Sequence, residues 1–315
     1  MPNSVDNTSS TALAVVVPAT DRPATLERCL AALRASSAPP EQTIVVTEAP
    51  GAGPAAARNT GAQEAEHELI VFVDADVAVH PDALARLREL FAADPSLVAA
   101  FGSYDDTPAA PGTVSRFRNL LHHHVHSSSP GPAETFWAGL GAIRRSAFTE
   151  HGGFDEWRFP APAVEDIELG MRLRAAGAPI LLDPGVLGTH LKQWTLVSMV
   201  RTDFARRGVP WLRLQLEAGS DSAALNLSLR HRAAALASIA LLAAVLTRRP
   251  RPAIAALATT LVLNAPFYRL LASRGGAPLL IAGVALHAVH NLTAVVAVPV
   301  ALAQHLLAGP GRRRS

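Results

Sequence analysis

The sequence predicts an α/β domain with a largely parallel sheet, followed by a hydrophobic helical tail. Two observations carry that class. Short Val-rich runs alternate with amphipathic stretches as far as Gly102, the pattern of strands joined by crossover helices. Charge then divides the chain: no Asp or Glu occurs after Asp221, so residues 1–221 carry a net −8 and residues 222–315 a net +10. A mean hydropathy of +0.21 with 49% hydrophobic residues is high for a wholly soluble protein.

Ala12–Pro18 (ALAVVVP) is a buried strand closed by Pro, and Thr25–Ala35 follows as a helix with Leu26, Leu30 and Leu33 on one face. Thr43–Thr47 is the second strand. A Gly/Pro turn at Pro50–Pro54 precedes a helix over Ala55–Glu66, and Leu69–Val73 (LIVFV) is the third strand. Pro81–Phe91 is a helix with Leu84, Leu87, Leu90 and Phe91 inward, and Leu97–Phe101 a fourth strand. In such sheets ligands bind beyond the carboxyl ends of the strands, which points to Ala19–Pro23, Glu48–Pro54 and Asp74–Asp76. The pattern loosens over 103–135, with a short helix at Val114–His126. Phe136–Arg144 and Pro179–Asp183 return to strand character, Glu165–Ala176 is a helix, and Trp194–Leu216 is a basic amphipathic helix.

The tail differs. Ala233–Leu246, Ala253–Tyr268 and Gly275–Gly311 lack Asp, Glu, Lys and Arg until Arg clusters at 230–232, 248–251, 269–274 and 312–314 interrupt. A bilayer span needs about 20 apolar residues, so only the last run is long enough alone. An Ala-rich soluble bundle is the alternative, against which stands the missing acid over 94 residues. The divisions expected are a disordered N-terminus at 1–11, a nucleotide-binding half at 12–102, an acceptor half at 103–215, a basic linker at 216–232, membrane-embedded helices at 233–311 and a basic end at 312–315.

Composition excludes several classes. Cys29 has no disulfide partner and reads as a small buried hydrophobe. Met1–Thr11 lacks the basic start and apolar run of an export signal, so the first domain is expected to stay in the cytoplasm. Nucleic acid is not an expected partner, because the basic residues sit among apolar runs without aromatic interleaving. The dinucleotide fingerprint G-x-G-x-x-G, the P-loop and the G-x-S-x-G elbow are all absent.

The residues that remain can carry chemistry. Asp74 and Asp76 follow LIVFV at positions i and i+2, which on an extended chain point the same way. Two such carboxylates repel unless a cation sits beside them, and a hard Mg²⁺ or Mn²⁺ on a diphosphate would relieve this; hydrated acids ending a strand are the plain reading. Glu165 and Asp166 open a helix, where they diverge by about 100° and cannot share one role; ordinary first-turn acid enrichment explains them equally well. Arg58 and Asn59, behind the Gly/Pro turn, could present an Arg to phosphate. His190 could complete a metal shell, and Trp194 could stack on an acceptor or anchor at a membrane surface. The His122, His123, His124 and His126 run is a poor zinc site, since consecutive ligands rarely converge; an acceptor-side or interface helix is preferred.

Together the motifs resemble the family 2 inverting glycosyltransferases of GT-A fold, in the branch with a membrane-embedded C-terminal tail. The matching stretches are VVVPATDRP with RCLAAL, GPAAARNTGA, FVDADV, FWAGLGAIRRSAF with GGFDE, and VEDIELGMRLRAAG, in order from residue 15 to residue 177. The resemblance implies a nucleotide-sugar donor held by Pro18, Thr20, Arg22, Glu48, Arg58, Asn59, Asp74 and Ala75. It implies a metal, Mg²⁺ or Mn²⁺, on Asp76 and His190. Asp166 matches the general base, with Glu165 supporting acceptor hydroxyls or the loop. The acceptor contacts are Trp137, Ala138, Gly139, Leu140, Gln193 and Trp194. Two departures qualify it. Many members have paired acids after the second strand, where Ile44–Glu48 leaves Glu48 alone, and the Q-x-x-R-W element of processive synthases is missing. One sugar per acceptor is therefore expected, on a lipid or polyprenyl-linked acceptor at the inner (cytoplasmic) membrane, with the catalytic half in the cytoplasm. A metal-dependent nucleotidyltransferase and a non-catalytic membrane scaffold of the same fold are the alternatives.

Overall fold

The computed structural model describes residues 12–51, 53–219 and 229–308. The disordered N-terminus expected at 1–11, most of the linker expected at 216–232 and the basic end at 312–315 lie outside the described residues. Eight strands form one mixed sheet: β1 (Leu13–Pro18), β2 (Gln42–Val46), β3 (Leu69–Val73), β4 (Val77–Val79), β5 (Ala99–Tyr104), β6 (Gly131–Pro132), β7 (Leu140–Arg144) and β8 (Ile180–His190). Their order is β2-β1-β3-β7-β5-β8-β4, with β6 also on β8. β1 pairs in parallel with β2 and β3, and β5 with β8. β7 runs antiparallel between β3 and β5.

The strands alternate their side chains between two buried faces, as a period of two requires. Leu13, Val15, Val17, Val71 and Val73 meet α1 (Leu26–Arg34) and α3 (Ala83–Ala93), through Cys29, Leu33, Leu84, Leu87 and Phe91. Ala14, Val16, Ile70, Phe72 and Phe101 meet α2 (Gly53–Glu64) and α6 (Glu165–Ala175), through Ala55, Ala62, Leu169 and Leu173. Between these, α4 (Thr113–Ser127) and α5 (Arg145–Glu150) flank β6 and β7. On α2, Gly61 is needed for close approach: a Cβ there would stand 2.4 Å from a Val16 methyl.

Three features depart from expectation, each for a long-range reason. β4 was not anticipated; it is three residues long and exists through antiparallel pairing with the end of β8. β8 does not end at Asp183 but continues through Pro184–Gly185 to His190. Its register with β5 shifts at Gly102, where a Cβ would meet the Val186 carbonyl oxygen at 2.0 Å, so a bulge absorbs the irregularity instead of ending the strand. Asp183 accepts from the Gly185 N–H and from Arg86 in two bonds of 2.6 and 3.0 Å, holding that bend. The basic helix is not uniform either: α7 (Leu196–Arg201) passes through a π-helical stretch, Thr202–Gly208, into α8 (Val209–Ala218).

The tail forms α9 (Leu229–Leu246), α10 (Pro250–Leu263) and α11 (Ala265–Leu307). The apolar run expected at 253–268 is broken at Asn264, which caps α11, and α11 itself kinks at Gly276, whose φ is +62°. Its first arm buries Phe267, Tyr268 and Leu271 against Phe117, Leu120 and Leu121 of α4. Its second arm sets Ala297 and Ala301 against Val209 of α8, and Asn291 donates to Ser238 of α9 at 3.1 Å. α11 is 43 residues long and contains an 18-residue stretch of mean hydropathy 1.8, long and apolar enough to cross a membrane. Ile281, Val296, Leu302, Leu306 and Leu307 stay exposed on it.

Candidate functional site

The carboxyl ends of β1, β2 and β3 open on one rim, where a closed ring of contacts assembles. Asp74 leaves β3, and its backbone N–H donates to the Gly139 carbonyl at 3.1 Å. One residue earlier in the same loop, the Ala138 N–H donates to Asp166 Oδ2 at 3.2 Å. Arg58 closes the ring from α2: its two terminal nitrogens reach Asp74 Oδ1 at 2.7 Å and Glu165 Oε1 at 2.9 Å. Asp74 and Asp166 thus flank one tight loop, Phe136–Leu140, though 92 residues of chain separate their numbers. Gly139 makes the loop possible, because a Cβ there would lie 2.4 Å from the Trp137 ring.

The electrostatics separate the four acids. Glu165 is buried, 4% exposed, and is fully engaged with Arg58 and the Ala163 N–H. Asp166, its neighbour on α6, is half-buried and turned the other way, as adjacent helical positions must be. Burial and the Glu165 charge push the Asp166 carboxyl up to about 6, with Arg58 and two backbone N–H groups opposing. Burial and Asp76 raise Asp74, again against Arg58. Asp76 ends low: burial lifts its carboxyl, but His190 and Lys192 more than offset this. Both bases of that pull lie 3.8 Å from Asp76 Oδ2, at His190 Nε2 and Lys192 Nζ.

The extension of β8 explains this geometry. Val77 pairs with His190, and the Leu191 N–H donates to the Asp76 carbonyl at 2.8 Å, so β4 and the end of β8 carry Asp76, His190 and Lys192 together. Among the described residues no three of His, Cys, Asp and Glu converge as a metal cage. Asp76 and His190 fit a hard divalent ion that takes its other ligands from diphosphate and water, as Mg²⁺ and Mn²⁺ do in nucleotide sites.

The other candidate residues fall into distinct places. Pro18 and Ala75 are buried at the strand ends. Thr20, Arg22 and Glu48 are exposed on the rim, with Arg22 in the left-handed region (φ 46°) and 3.5 Å from Glu48. Arg58 presents no unengaged fork to a phosphate, since Asp74 and Glu165 take both terminal nitrogens and its side chain is only 6% exposed. Asn59 is a clamp on the 154–156 turn, exchanging bonds with Phe154 and donating to Glu156. Leu140 is buried in β7, while Gln193 is exposed. Sequence reasoning missed Tyr104, which stacks on His190 (centroids 4.2 Å apart, 14° between planes) and meets Trp137 edge-on at 4.9 Å. It also missed Arg118, whose guanidinium lies over the Trp194 ring at 5.5 Å. Only Arg118 had a signal in the sequence, through the short helix expected at 114–126 and its acceptor-side or interface reading. The His run of that helix divides, with His122 and His126 against Trp137 and His124 stacked on Phe267 of α11.

Cys29 is fully buried, donates to the Asp74 carbonyl at 3.6 Å, and has its thiol pushed up to about 12 by burial and by Asp74 and Asp76. It is expected to resist iodoacetamide in the folded chain and to react completely once denatured; mass spectrometry of the alkylated peptide reads this.

Residues 39–152 match the family model described as Glycosyl transferase family 2. This stretch is similar to the family 2 glycosyl transferases. Glu165, Asp166 and His190 lie beyond it. Two curated relatives, each a pre-mycofactocin glycosyltransferase from a strain of Mycobacterium tuberculosis, are 29% identical over 160 residues, 45% of this chain and 32% of theirs. The chain therefore spans about a third of the length of those relatives. Among solved structures, the mannosyltransferase PcManGT from Pyrobaculum calidifontis, in complex with GDP-Man and Mn²⁺, superposes with a TM-score of 0.56 at 18% identity, over 94% of this chain and 88% of that one. At that identity the likeness concerns the fold, and the fold is GT-A-like, a mixed, mostly parallel sheet flanked by helices.

Proposed function

We propose that the chain is an inverting glycosyltransferase that moves one sugar from a nucleoside-diphosphate sugar to an acceptor held at the membrane. The observation that carries this reading is the ring joining Asp74, Arg58, Glu165, Asp166 and the Ala138–Gly139 loop at the open rim of the sheet. A half-buried carboxylate with its pKa near 6 is suited to take a proton from an acceptor hydroxyl at neutral pH. The attack comes from the face opposite the diphosphate, so an α-linked donor yields a β-glycoside. Glu165 and Arg58 hold Asp166 and Asp74 in place. Asp76 and His190 would hold a divalent ion, which when bound offsets the charge that builds on the leaving diphosphate. Thr20, Arg22 and Glu48, exposed on the rim, would face the nucleoside. The apolar α11 supports a membrane setting, and a cytoplasmic catalytic half at the inner membrane is the orientation proposed.

The test incubates membranes containing the full chain with a panel of nucleotide sugars and Mg²⁺ or Mn²⁺, then extracts lipid. Labelled sugar in the lipid fraction is expected, with nucleoside diphosphate released. Release of pyrophosphate from a nucleoside triphosphate, or no turnover of any donor, would overturn the proposal. In the same preparation Asp76→Asn is expected to weaken Mn²⁺-dependent nucleotide-sugar binding at least ~10-fold, since even outer-shell changes at metal sites have that effect. Equilibrium binding with and without chelator measures it.

A further inference from the structure

A cavity of about 650 Å³ opens between α2, the end of α5, α6 and the turn at 151–157. The turn is pinned from both sides. Gly152 and Gly153 reverse the chain at φ of 75° and 66°, and a Cβ on Gly153 would stand 2.7 Å from Asn59 Oδ1. From α2, Asn59 holds Phe154 and Glu156 through bonds of 2.8 to 2.9 Å. From α6, Arg172 donates to the Gly153 carbonyl at 2.8 Å while forked onto Glu168 at 2.7 and 2.9 Å. Trp157 lines this cavity and is 89% exposed, more than any other large hydrophobic side chain among the described residues. A well-anchored turn thus holds an indole in water on the wall of a cavity.

The lining selects a ligand class. Glu168 and Arg172 neutralise each other, so Asp155 and Glu156 leave the wall acidic and unsuited to a phosphate or a carboxylate. Asp155 gives one oxygen to the Arg158 N–H and Glu156 one to Asn59; their other oxygens make no hydrogen bond among the described residues. Gln63, Thr149 and His151 add an amide, a hydroxyl and an imidazole, and these side chains also make none among the described residues. Open acceptors and neutral donors around one aromatic face match a sugar. Its hydroxyls take the hydrogen bonds, and its C–H face lies on the indole, which is apolar in body and polar at one edge. A cation matches less well, because ammonium groups are held in cages of several rings. Here Phe148 and Phe154 are 6% and 2% exposed and pack on Phe72.

We infer that this cavity binds a neutral disaccharide unit, one ring stacked on Trp157, at a site separate from the donor and from Asp166. Its volume falls within the range of roughly 300–1,000 Å³ seen for small-molecule sites. Asp166 and Glu168 are two positions apart on α6, about 200° round the helix, so the base and the cavity use different faces of it. The two sites share Phe154, which lines the cavity and carries the Arg58 guanidinium 5.5 Å from its ring centroid. Among the described residues none of α9, α10 or α11 lines the cavity, so it is a sugar and not a lipid tail that is recognised. In a glycosyltransferase such a site holds sugar units of an acceptor glycan remote from its reacting end. That role rests on the proposed transfer; the binding does not.

The test uses the full chain in a sugar-free, uncharged detergent, without donor or metal, and offers maltose, cellobiose, mannobiose and lactose. Saturation-transfer NMR and tryptophan fluorescence read the binding. At least one disaccharide is expected to bind with a Kd of about 1 mM or below, and to shift indole emission to the blue as water leaves Trp157. Trp157→Ala is expected to weaken binding at least ~10-fold, whereas Trp157→Phe keeps part of the affinity and loses the spectral shift. Trp157 is exposed, so neither replacement threatens the fold. Failure of all four disaccharides to bind, or unchanged affinity in Trp157→Ala, overturns the inference. So does displacement by a nucleoside diphosphate, which would place the sugar in the donor site, or tighter binding of tetramethylammonium than of any sugar. Sugar transfer from the nucleotide-sugar panel is measured separately. Its absence sinks the transferase reading and leaves the binding result standing, while a chain that transfers sugar but binds no disaccharide sinks this inference alone.

Discussion

Asp166→Asn is expected to lower the turnover of sugar transfer by ~10²- to 10⁴-fold, the range that a positioned proton acceptor contributes, while nucleotide-sugar binding and folding persist. The amide keeps the shape and can still meet the loop, but it cannot take a proton. The wild-type rate should carry the signature of this group. Because its carboxyl titrates near 6 rather than at the usual 3.8, turnover should rise with pH as the base ionises and level off above about pH 7. Stability has the opposite sign: a raised acid pKa means the folded state favours the proton, so stability from this group is greatest below the ordinary carboxylate pKa and is lost as pH rises through 6. At pH 8 Asp166→Asn should therefore melt no lower than wild type. A variant that is inactive yet equally stable marks a group held for chemistry; retention of full turnover would show that the acceptor arrives already ionised and would remove the base assignment.

Arg58→Met should have the largest effect on stability, about 3–5 kcal/mol, because it strands carboxylates that share one buried cation. Arg58 and Glu165 side chains are each 6% exposed, and the pair distances are 2.7 and 2.9 Å. The variant should also lose activity, since Asp74 and the start of α6 would no longer be tied. Denaturant melts measure the first effect. Adding Glu165→Gln to Arg58→Met should recover a substantial part of the lost stability without recovering turnover. If Arg58→Met unfolds at the wild-type midpoint, the guanidinium is not the keystone of the ring. Arg58→Lys is not a conservative control here, because a single ammonium cannot span two acids from different elements.

The parts of this fold that were legible in the sequence are those whose cause is local. LIVFV is followed at once by Asp-Ala-Asp, and the alternation of apolar runs with the Leu-spaced α1 and α3 and the Ala-rich α2 gives the order of α1–α3 and β1–β3. The parts that were not legible have remote causes. β4 exists only because β8 passes its bulge and reaches it, and the bulge depends on Gly102 meeting Val186 across the sheet. Likewise Arg58 appears in the sequence as a cation behind a turn; that its partners are Asp74 and Glu165, 16 and 107 residues away, is a property of the closed chain. Tyr104 and Arg118 escaped notice for the same reason: neither sits in a motif, and each acquires meaning only through the ring beside it. The kink at Gly276 lies where the 269–274 Arg cluster meets the last apolar run, and one helix continues through that junction.

The seating of α11 bears on how the proposed transferase would meet a lipid acceptor. A helix joined to the rest of a protein only by its end would hold the catalytic half at arm's length from the bilayer. Here one flank of the helix is glued to α4, α8 and the π-helical stretch through Phe267, Leu271, His290, Ala297 and Ala301, while the opposite flank is bare hydrocarbon. Lipid touching that bare flank begins one helix diameter, about 10 Å, from the wall that carries Trp194 and Arg118. A long-chain substrate would then slide in sideways with its tails still dissolved in the leaflet, and its head alone would need to leave the lipid phase.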